Sequence, residues 1–462
     1  MLQAPLLASS SDPSWPGFRG PGGIPVSDNE DLPLHWSTTN NVEWKAEVPG
    51  VGWSSPIVVG GRVFLTTAVS SKPSTKNAEL GTDFSNDYIA ELRGEGLPIE
   101  EVIEKHNDRY VEFPDETELE YLLIAFSLSA GEELWRRTLH TGPPPGGRHA
   151  KNSYASATPV ADAETVFVSI GNLGVWAYSL EGEARWHKSL EAFDVYMSFG
   201  TGGSPALTDD YVVVLNDNQQ SQFIAAYSKE DGREVWRSAR RTVPADRMIR
   251  TSWSTPFVWR HEERTEIVAL GPATVVSYDT AGSELWRMGN HSSLPVPTPF
   301  AYEGNLFVIS GVLGDTYRPI TSIRPGARGD LTLEEGTTGG EFVNWYQKLA
   351  GPYIPTPVPY RGSLWVVYDK GILARYDAAT GVREFRARIQ SSAGAFSASP
   401  WAYRGKVFAI DEEGTTIVFE AGDEFEQLHS NPLDERTFAS PAIVGDRLLI
   451  RTQSRLYSIR ER

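Results

Sequence analysis

The 462-residue chain carries 42 Lys and Arg against 60 Asp and Glu, a formal charge of −18 that excludes the clustered positive surface nucleic-acid binding needs. Its 40% apolar residues suffice for a core and its 22% charged residues make an ordinary surface, which excludes wholesale disorder. With no cysteine, disulfides, thiolate metal sites, haem attachment and a cysteine nucleophile are excluded, and no run approaches the ~18 apolar residues of a membrane span.

The first ten residues hold no Lys or Arg and are too short for a signal peptide. The expectation is therefore either a cytoplasmic protein or a mature chain whose export signal has been removed. Residues 1–40 read as an extension. Residues 42–48, VEWKAEV, read as a strand with no partner strands before it.

From Ser55 onward one motif repeats: a small residue, then Pro, then an apolar run, then Gly or Asp before a second strand. The prolines are Pro56, Pro159, Pro205, Pro256, Pro299, Pro357, Pro400 and Pro441, at intervals of 103, 46, 51, 43, 58, 43 and 41. These spacings, the first apart, approximate the ~40–50 residues of a four-stranded propeller blade. Between the anchors, Gly is followed four residues later by an aromatic at Gly131–Trp135, Gly182–Trp186, Gly232–Trp236, Gly282–Trp286 and Gly381–Phe385. The glycine suits the positive φ of a tight hairpin turn, and the indole opening the outer strand can wedge against the next blade. Eight anchors predict an all-β, eight-bladed propeller over residues 41–462. The last copy, ending at Leu456–Ile459, lacks an outer strand, which residues 42–48 would supply, closing the ring and removing a free edge.

Two long intervals mark insertions. Residues 70–120 hold 14 acidic and 5 basic residues, half the net charge of the protein. Pro98 before Ile99, Val102 and Ile103 predicts one short helix there, and Tyr88 with Leu92 before Gly94 another. The 58-residue interval holds the Gly-rich stretch from Arg324 to Asp330 and, around Trp345, what reads as a degenerate outer strand.

These motifs resemble the repeats of PQQ-like β-propellers, the superfamily of quinoprotein dehydrogenases and the outer-membrane assembly lipoprotein BamB (PQQ is pyrroloquinoline quinone). The stretch from Tyr227 to Trp236, YSKEDGREVW, loosely follows the tryptophan-docking pattern of that superfamily, and Tyr376 to Gly381 follows its first half. The opening WPGFRGP, Trp15 to Pro21, looks like the start of exported bacterial PQQ-binding-like repeat proteins. The resemblance implies a periplasmic or extracellular location. Its enzyme branch implies PQQ and Ca²⁺, held by a vicinal cysteine pair and by a Glu, Asn and Asp set. The first is missing and the second cannot be placed, so neither group is expected.

Blade geometry puts the segments entering the inner strands and the loops between second and third strands on one face, around the mouth of the axial channel. The acidic insertion is such a loop and should overhang that mouth. The candidate ligand-binding residues there are Arg148, His149, Lys151, Asn152, Tyr154, Asp217, Asn218, Trp253, His291, Arg318, Tyr353 and Asp369. Arg148 and Lys151 suit an anion, His149 is the candidate proton-transfer group, and Trp253, Tyr353 and Tyr196 offer flat faces for stacking. The alternative is structural: the two cations pair with Asp217, Asp315, Asp369 or insertion carboxylates and lock neighbouring blades. His291 beside Ser292 reads as a loop histidine, and the oxygen-rich Asn216-Asp217-Asn218 as a polar turn, not a Ca²⁺ loop. No metal site is expected.

Three functions follow. The favoured one is a monomeric scaffold holding a protein, glycan or small molecule at the mouth. Next come a carbohydrate lyase or hydrolase with His149 or a mouth tyrosine as base, and then a PQQ oxidoreductase.

Overall fold

The computed structural model describes residues 13–73, 91–98, 101–102, 104–105, 116–149, 151–242 and 249–461. Eight antiparallel sheets follow one another along the chain as the blades of a propeller. Their inner strands are Ile57–Val59, Val160–Ala161, Ala206–Leu207, Phe257–Arg260, Phe300–Tyr302, Val358–Tyr360, Trp401–Tyr403 and Ala442–Val444. Each begins just past a Pro anchor, because proline lacks the N–H a ladder needs and is tolerated only where a strand starts. The outer strand of blade eight is Val42–Glu47, antiparallel to Arg455–Ile459 with Trp44 opposite Ser458, so the first long strand completes the last sheet.

The recurring Gly and Trp meet across blade boundaries. The indole N–H groups of Trp44, Trp135, Trp186, Trp236 and Trp345 donate to the carbonyls of Leu128, Leu180, Lys229, Thr280 and Ala378 in the following blade, at 2.9, 3.1, 2.8, 2.9 and 3.0 Å. Each ring lies over that blade's turn glycine. A Cβ on Gly131 would come within 2.4 Å of Trp44, and one on Gly232 within 2.5 Å of Trp186. Glycine is therefore required twice at these turns, for its positive φ and for the space the indole occupies.

Blade five departs from the expected pattern. Its outer strand Val343–Gln347 pairs regularly with Ile320–Ile323, and Trp345 docks on blade six like its counterparts. The outer strand there is thus complete, although no glycine stands four residues before Trp345. The Gly-rich stretch instead sends Gly329–Asp330 to blade four as a fifth, parallel strand beside Trp286. With no glycine turn to receive it, Trp286 is fully buried and donates to Glu266 Oε2 at 2.7 Å.

Residues before Val42 form the far wall of the channel. The amide of Ala161 donates to Pro16, and Trp15 bridges to Val58. Gly23 packs on Phe257 and Phe300, and Val26–Ser27 pairs in parallel with Trp401–Tyr403. Arg19 is buried, has no carboxylate partner among the described residues, and donates to the carbonyls of Gly23, Thr356 and Pro357 at 2.9, 2.8 and 2.6 Å. Burial pulls its guanidinium down to about 9. Arg19 thus reaches the anchor Pro357 itself, and the other contacts, to Val58, Ala161, Phe257, Phe300 and Trp401–Tyr403, lie past their anchors, on the side away from the mouth. This segment therefore closes one end of the axial opening.

In the acidic insertion, residues 91–94, 101–102 and 104–105 are helical, and Leu92 and Val102 are buried. Tyr88, Ile99 and Ile103, on which those helices were also predicted, lie outside the described residues. The insertion leaves blade one between Arg62–Ser70 and Leu119–Ser127. Burial raises the Tyr196 hydroxyl, against a smaller opposing influence from the charge of Arg93 in the insertion.

The closure carries an acid-sensitive latch. Glu43 on the closing strand accepts from Arg447 Nε and Nη2 at 2.7 and 2.9 Å, from Ser458 at 3.0 Å and from Arg460 at 3.3 Å. Partial burial raises its carboxyl, but the bonds from Arg447, Ser458 and Arg460 outweigh this and hold it below its ordinary value of 4.5. A depressed carboxyl binds protons less readily folded than unfolded. The stability it contributes is present above its unfolded value and is lost as pH falls through the folded one. Urea unfolding at about pH 7 and about pH 3 should show this loss, and Glu43→Gln should lower the neutral stability and flatten the slope. An unchanged slope in that variant would place the acid sensitivity elsewhere.

Candidate functional site

The axial opening is a cup of about 330 Å³, within the ~300–1,000 Å³ of small-molecule pockets. Two tiers of the repeat build it. The lower tier is the hydroxyl residue before each proline: Ser55, Thr158, Ser204, Thr255, Thr298, Thr356, Ser399 and Ser440 all line the cavity. These anchors also tie the blades together. The amides of Ser55, Thr158 and Ser204 donate to the hydroxyls of Thr158, Ser204 and Thr255 at 2.9, 2.9 and 3.1 Å. Those of Thr298, Thr356 and Ser399 donate to Thr356, Ser399 and Ser440 at 2.9, 3.1 and 2.9 Å. Each of these hydroxyls spends a lone pair on its neighbour. Among the described residues, none of the eight gives its O–H to a protein acceptor.

The upper tier is two residues earlier in each repeat. In blade order it reads Trp53, Ser156, Gly202, Trp253, Val296, Ile354, Ser397 and Phe438, and all eight line the cup. Large aromatic groups thus stand on blades eight, one and four, and small ones on blades two, three and seven between them. Trp53 and Phe438 meet edge to face at 4.7 Å, and Trp253 is fixed by its indole N–H to Gly200 O at 2.7 Å. Phe18, from the closing segment, also lines the cavity.

The structure brings six of the predicted residues to this cup: His149, Lys151, Asn152, Trp253, Tyr353 and Asp369. Lys151 Nζ lies 2.8 Å from Glu412 Oε1, which also accepts from Ser397 at 2.6 Å. The pairing partner is thus Glu412 of blade seven, and not one of the carboxylates named from sequence. Burial pushes the Asp369 carboxyl up, with Glu412 adding to it while Lys370 and Lys151 pull the other way. Burial also raises the Tyr353 hydroxyl well above its ordinary value, helped by Asp369. His149 Nδ1 accepts the Lys151 amide at 3.1 Å and its ring meets Phe199 edge-on at 4.9 Å. In the neutral ring that bond leaves the proton on Nε2, which then donates.

The other six are placed elsewhere. Arg148 Nη1 donates to Asn152 O at 2.5 Å and its guanidinium lies over Tyr154. Tyr154 lines a second cavity of about 300 Å³ with Tyr121 and Tyr196, where Met197 and Ser198 adopt positive φ. Asp217 and Arg240 form a fully buried pair at 2.9 Å, and Asn218 shapes the adjoining turn through the amides of Gln220 and Ser221. Burial pulls His291 down to about 4, and its Nδ1 lies 2.8 Å from Gly289 O. Arg318 sits in the blade-five loop, where its amide donates to Lys348 O. Trp53, Phe438 and the hydroxyl tier went unrecognised in the sequence. The signal was present, since both tiers sit at constant offsets from the repeated proline.

An eight-bladed propeller with a one-ended axial cup is the class that fold and cavity define. The chain belongs to the PQQ-like β-propeller family: the family described as outer membrane protein assembly factor BamB matches it over residues 120–311 and 271–462. BamB of Moraxella catarrhalis superposes with a TM-score of 0.53 at 12% identity, covering 73% of this chain and 91% of that one. The quinohemoprotein alcohol dehydrogenases of Comamonas testosteroni and of Pseudomonas putida HK5 (ADHIIG) superpose at 0.56, with 11% and 12% identity, each covering 96% of this chain and 80% of the other. At such identities the likeness is one of fold. No curated protein matches the sequence.

The fold family raises the question of PQQ, a planar quinone bearing several carboxylates. The cup lining does not fit it. Its ammonium groups, Lys151 and Lys370, face the carboxylates Asp369 and Glu412, and Lys151 is already engaged. Among the described residues, no three His, Asp or Glu are grouped to hold a metal ion.

Proposed function

We propose that this protein is an exported propeller that binds a ligand in its axial cup as a scaffold, without turning it over. The observation that carries the reading is the cup itself. It is closed at one end by residues 13–27, walled by aromatic rings and floored by hydroxyls with O–H groups to give. A catalytic reading needs a base with its lone pair turned to the substrate. The Nδ1 lone pair of His149 is instead turned onto the Lys151 amide. Export and the monomeric state belong to the same proposal; among the described residues no helix is long and apolar enough to cross a membrane.

A fragment screen by crystal soaking tests this. Bound fragments should concentrate between Trp53 and Trp253, and Trp253→Ala should lower their affinity about tenfold, near the top of the ~0.5–1.5 kcal/mol of a stacked ring. His149→Ala should leave binding within about twofold. Fragments found only on the outer surface, or turnover abolished by His149→Ala, would overturn the reading.

A further inference from the structure

The charge pattern of the cup says which ligands it refuses. From it we infer that the cup, if it is the ligand site proposed above, selects an uncharged polyhydroxylated ring, a neutral sugar unit, over its anionic and cationic counterparts. Two features act in opposite directions, and only a neutral ligand satisfies both.

The first is the hydroxyl floor. Six of its oxygens already accept a neighbouring blade's amide, and none of the eight donates to a protein acceptor among the described residues. What remains for a ligand is a ring of O–H groups with at least one lone pair on each oxygen still open. A cation entering the cup meets the ammonium groups of Lys151 and Lys370, which line it. The hydroxyl hydrogens are free to turn toward a ligand. They suit oxygens that accept, and the open lone pairs suit groups that also donate. A sugar hydroxyl does both.

The second is the carboxylate side. Asp369 lines the cup and Glu412 stands behind Lys151, whose ammonium it holds at 2.8 Å. An anionic ligand would have to approach Asp369 in a half-enclosed space where like charges repel strongly; of the two ammonium groups there, Lys151 is held by Glu412 and Lys370 already offsets Asp369. A carboxylate beside a neutral ring instead accepts from two vicinal hydroxyls at once. The aromatic pieces complete the fit. Trp253 is clamped by its bond to Gly200, and Trp53 is set edge-on to Phe438, so flat apolar faces are pre-positioned for the C–H faces of a pyranose. Among the described residues the buried Trp53 indole N–H has no acceptor. The small residues at Ser156, Gly202 and Ser397 leave room between these walls.

A matched series separates charge from shape: glucose, glucuronate and glucosamine, with the galactose set beside it. Each is titrated into the full chain by calorimetry and tryptophan fluorescence at neutral pH. The neutral sugar of a set is expected to bind about tenfold more tightly than its uronate and its amino sugar. In Asp369→Asn the uronate should gain relative to the neutral sugar by about tenfold, since the repelling charge is gone. Binding that favours the uronate or the amino sugar, or no binding by any member up to about 10 mM, overturns the inference. If the favoured sugar is charged but Trp253→Ala still abolishes its binding, the class is wrong and the cup remains the site. If binding is the same in wild type, Trp253→Ala and Asp369→Asn, the cup reading itself falls.

Discussion

Trp44→Ala is expected to cost ~3–5 kcal/mol of folding stability, the range for truncating a large buried aromatic. The ring is only 9% exposed, lies over Gly131 and gives its N–H to Leu128 O. The loss exceeds a packing defect because of where the ring sits. Trp44 is the docking residue of the blade whose outer strand comes from the opposite end of the chain. Without it the strand Val42–Glu47 keeps its ladder to Arg455–Ile459 but loses its grip on blade one. An opening of that seam bares the facing surfaces of blades eight and one and leaves that ladder alone to hold the ring closed. Hydrogen exchange should therefore accelerate in Val42–Glu47 and Arg455–Ile459 together, ahead of global unfolding. Trp186→Ala is the control, since it removes a comparable ring from a blade continuous in sequence. Equal exchange at the seam in both variants would show that closure is no weaker than any other blade boundary.

Asp217→Asn is expected to cost about as much, ~3–5 kcal/mol, because it leaves a buried guanidinium uncompensated. Arg240 Nε reaches both carboxylate oxygens, at 2.9 and 3.1 Å, and neither side chain is exposed. The remaining bonds, to Tyr278 Oη and Ala269 O, supply acceptors but no charge. The pair is tightly packed on the Gly271 side, where a Cβ would lie 2.8 Å from both Asp217 Oδ2 and Arg240 Nη2. Burial alone pushes the Asp217 carboxyl up, to about 6, against the pull of Arg240. The pair is thus costly to bury and costlier to break. Arg240→Met in the Asp217→Asn background should restore most of the loss in urea unfolding, and a double-mutant cycle isolates the coupling. A single-variant cost below ~1 kcal/mol would mean that the site rearranges to admit solvent.

These two residues show where sequence reading reached and where it stopped. Trp44 was placed correctly because a missing outer strand and an orphan first strand are both features of spacing. Asp217 was read as part of the ligand mouth because its loop is on the mouth face. Nothing along the chain shows that its side chain turns back between blades three and four to meet Arg240. Lys151 makes the same point, since its carboxylate partner lies 261 residues away on blade seven. The WPGFRGP opening carried a family signal, but its closing of the channel rests on Arg19, Gly23 and Pro25 contacting separate blades.

The amino-acid sequence by itself determined the blade count, the ring closure and the Gly–Trp docking, since each is a local pattern repeated at a near-constant interval and a near-constant interval forces equivalent places in the fold. The tertiary structure alone decided which charges face the cup, which are consumed between blades, and that one end of the axis is shut. Those outcomes depend on side-chain direction across a ring in which residues hundreds apart become neighbours, and burial there gives each charge a partner or an unmet cost.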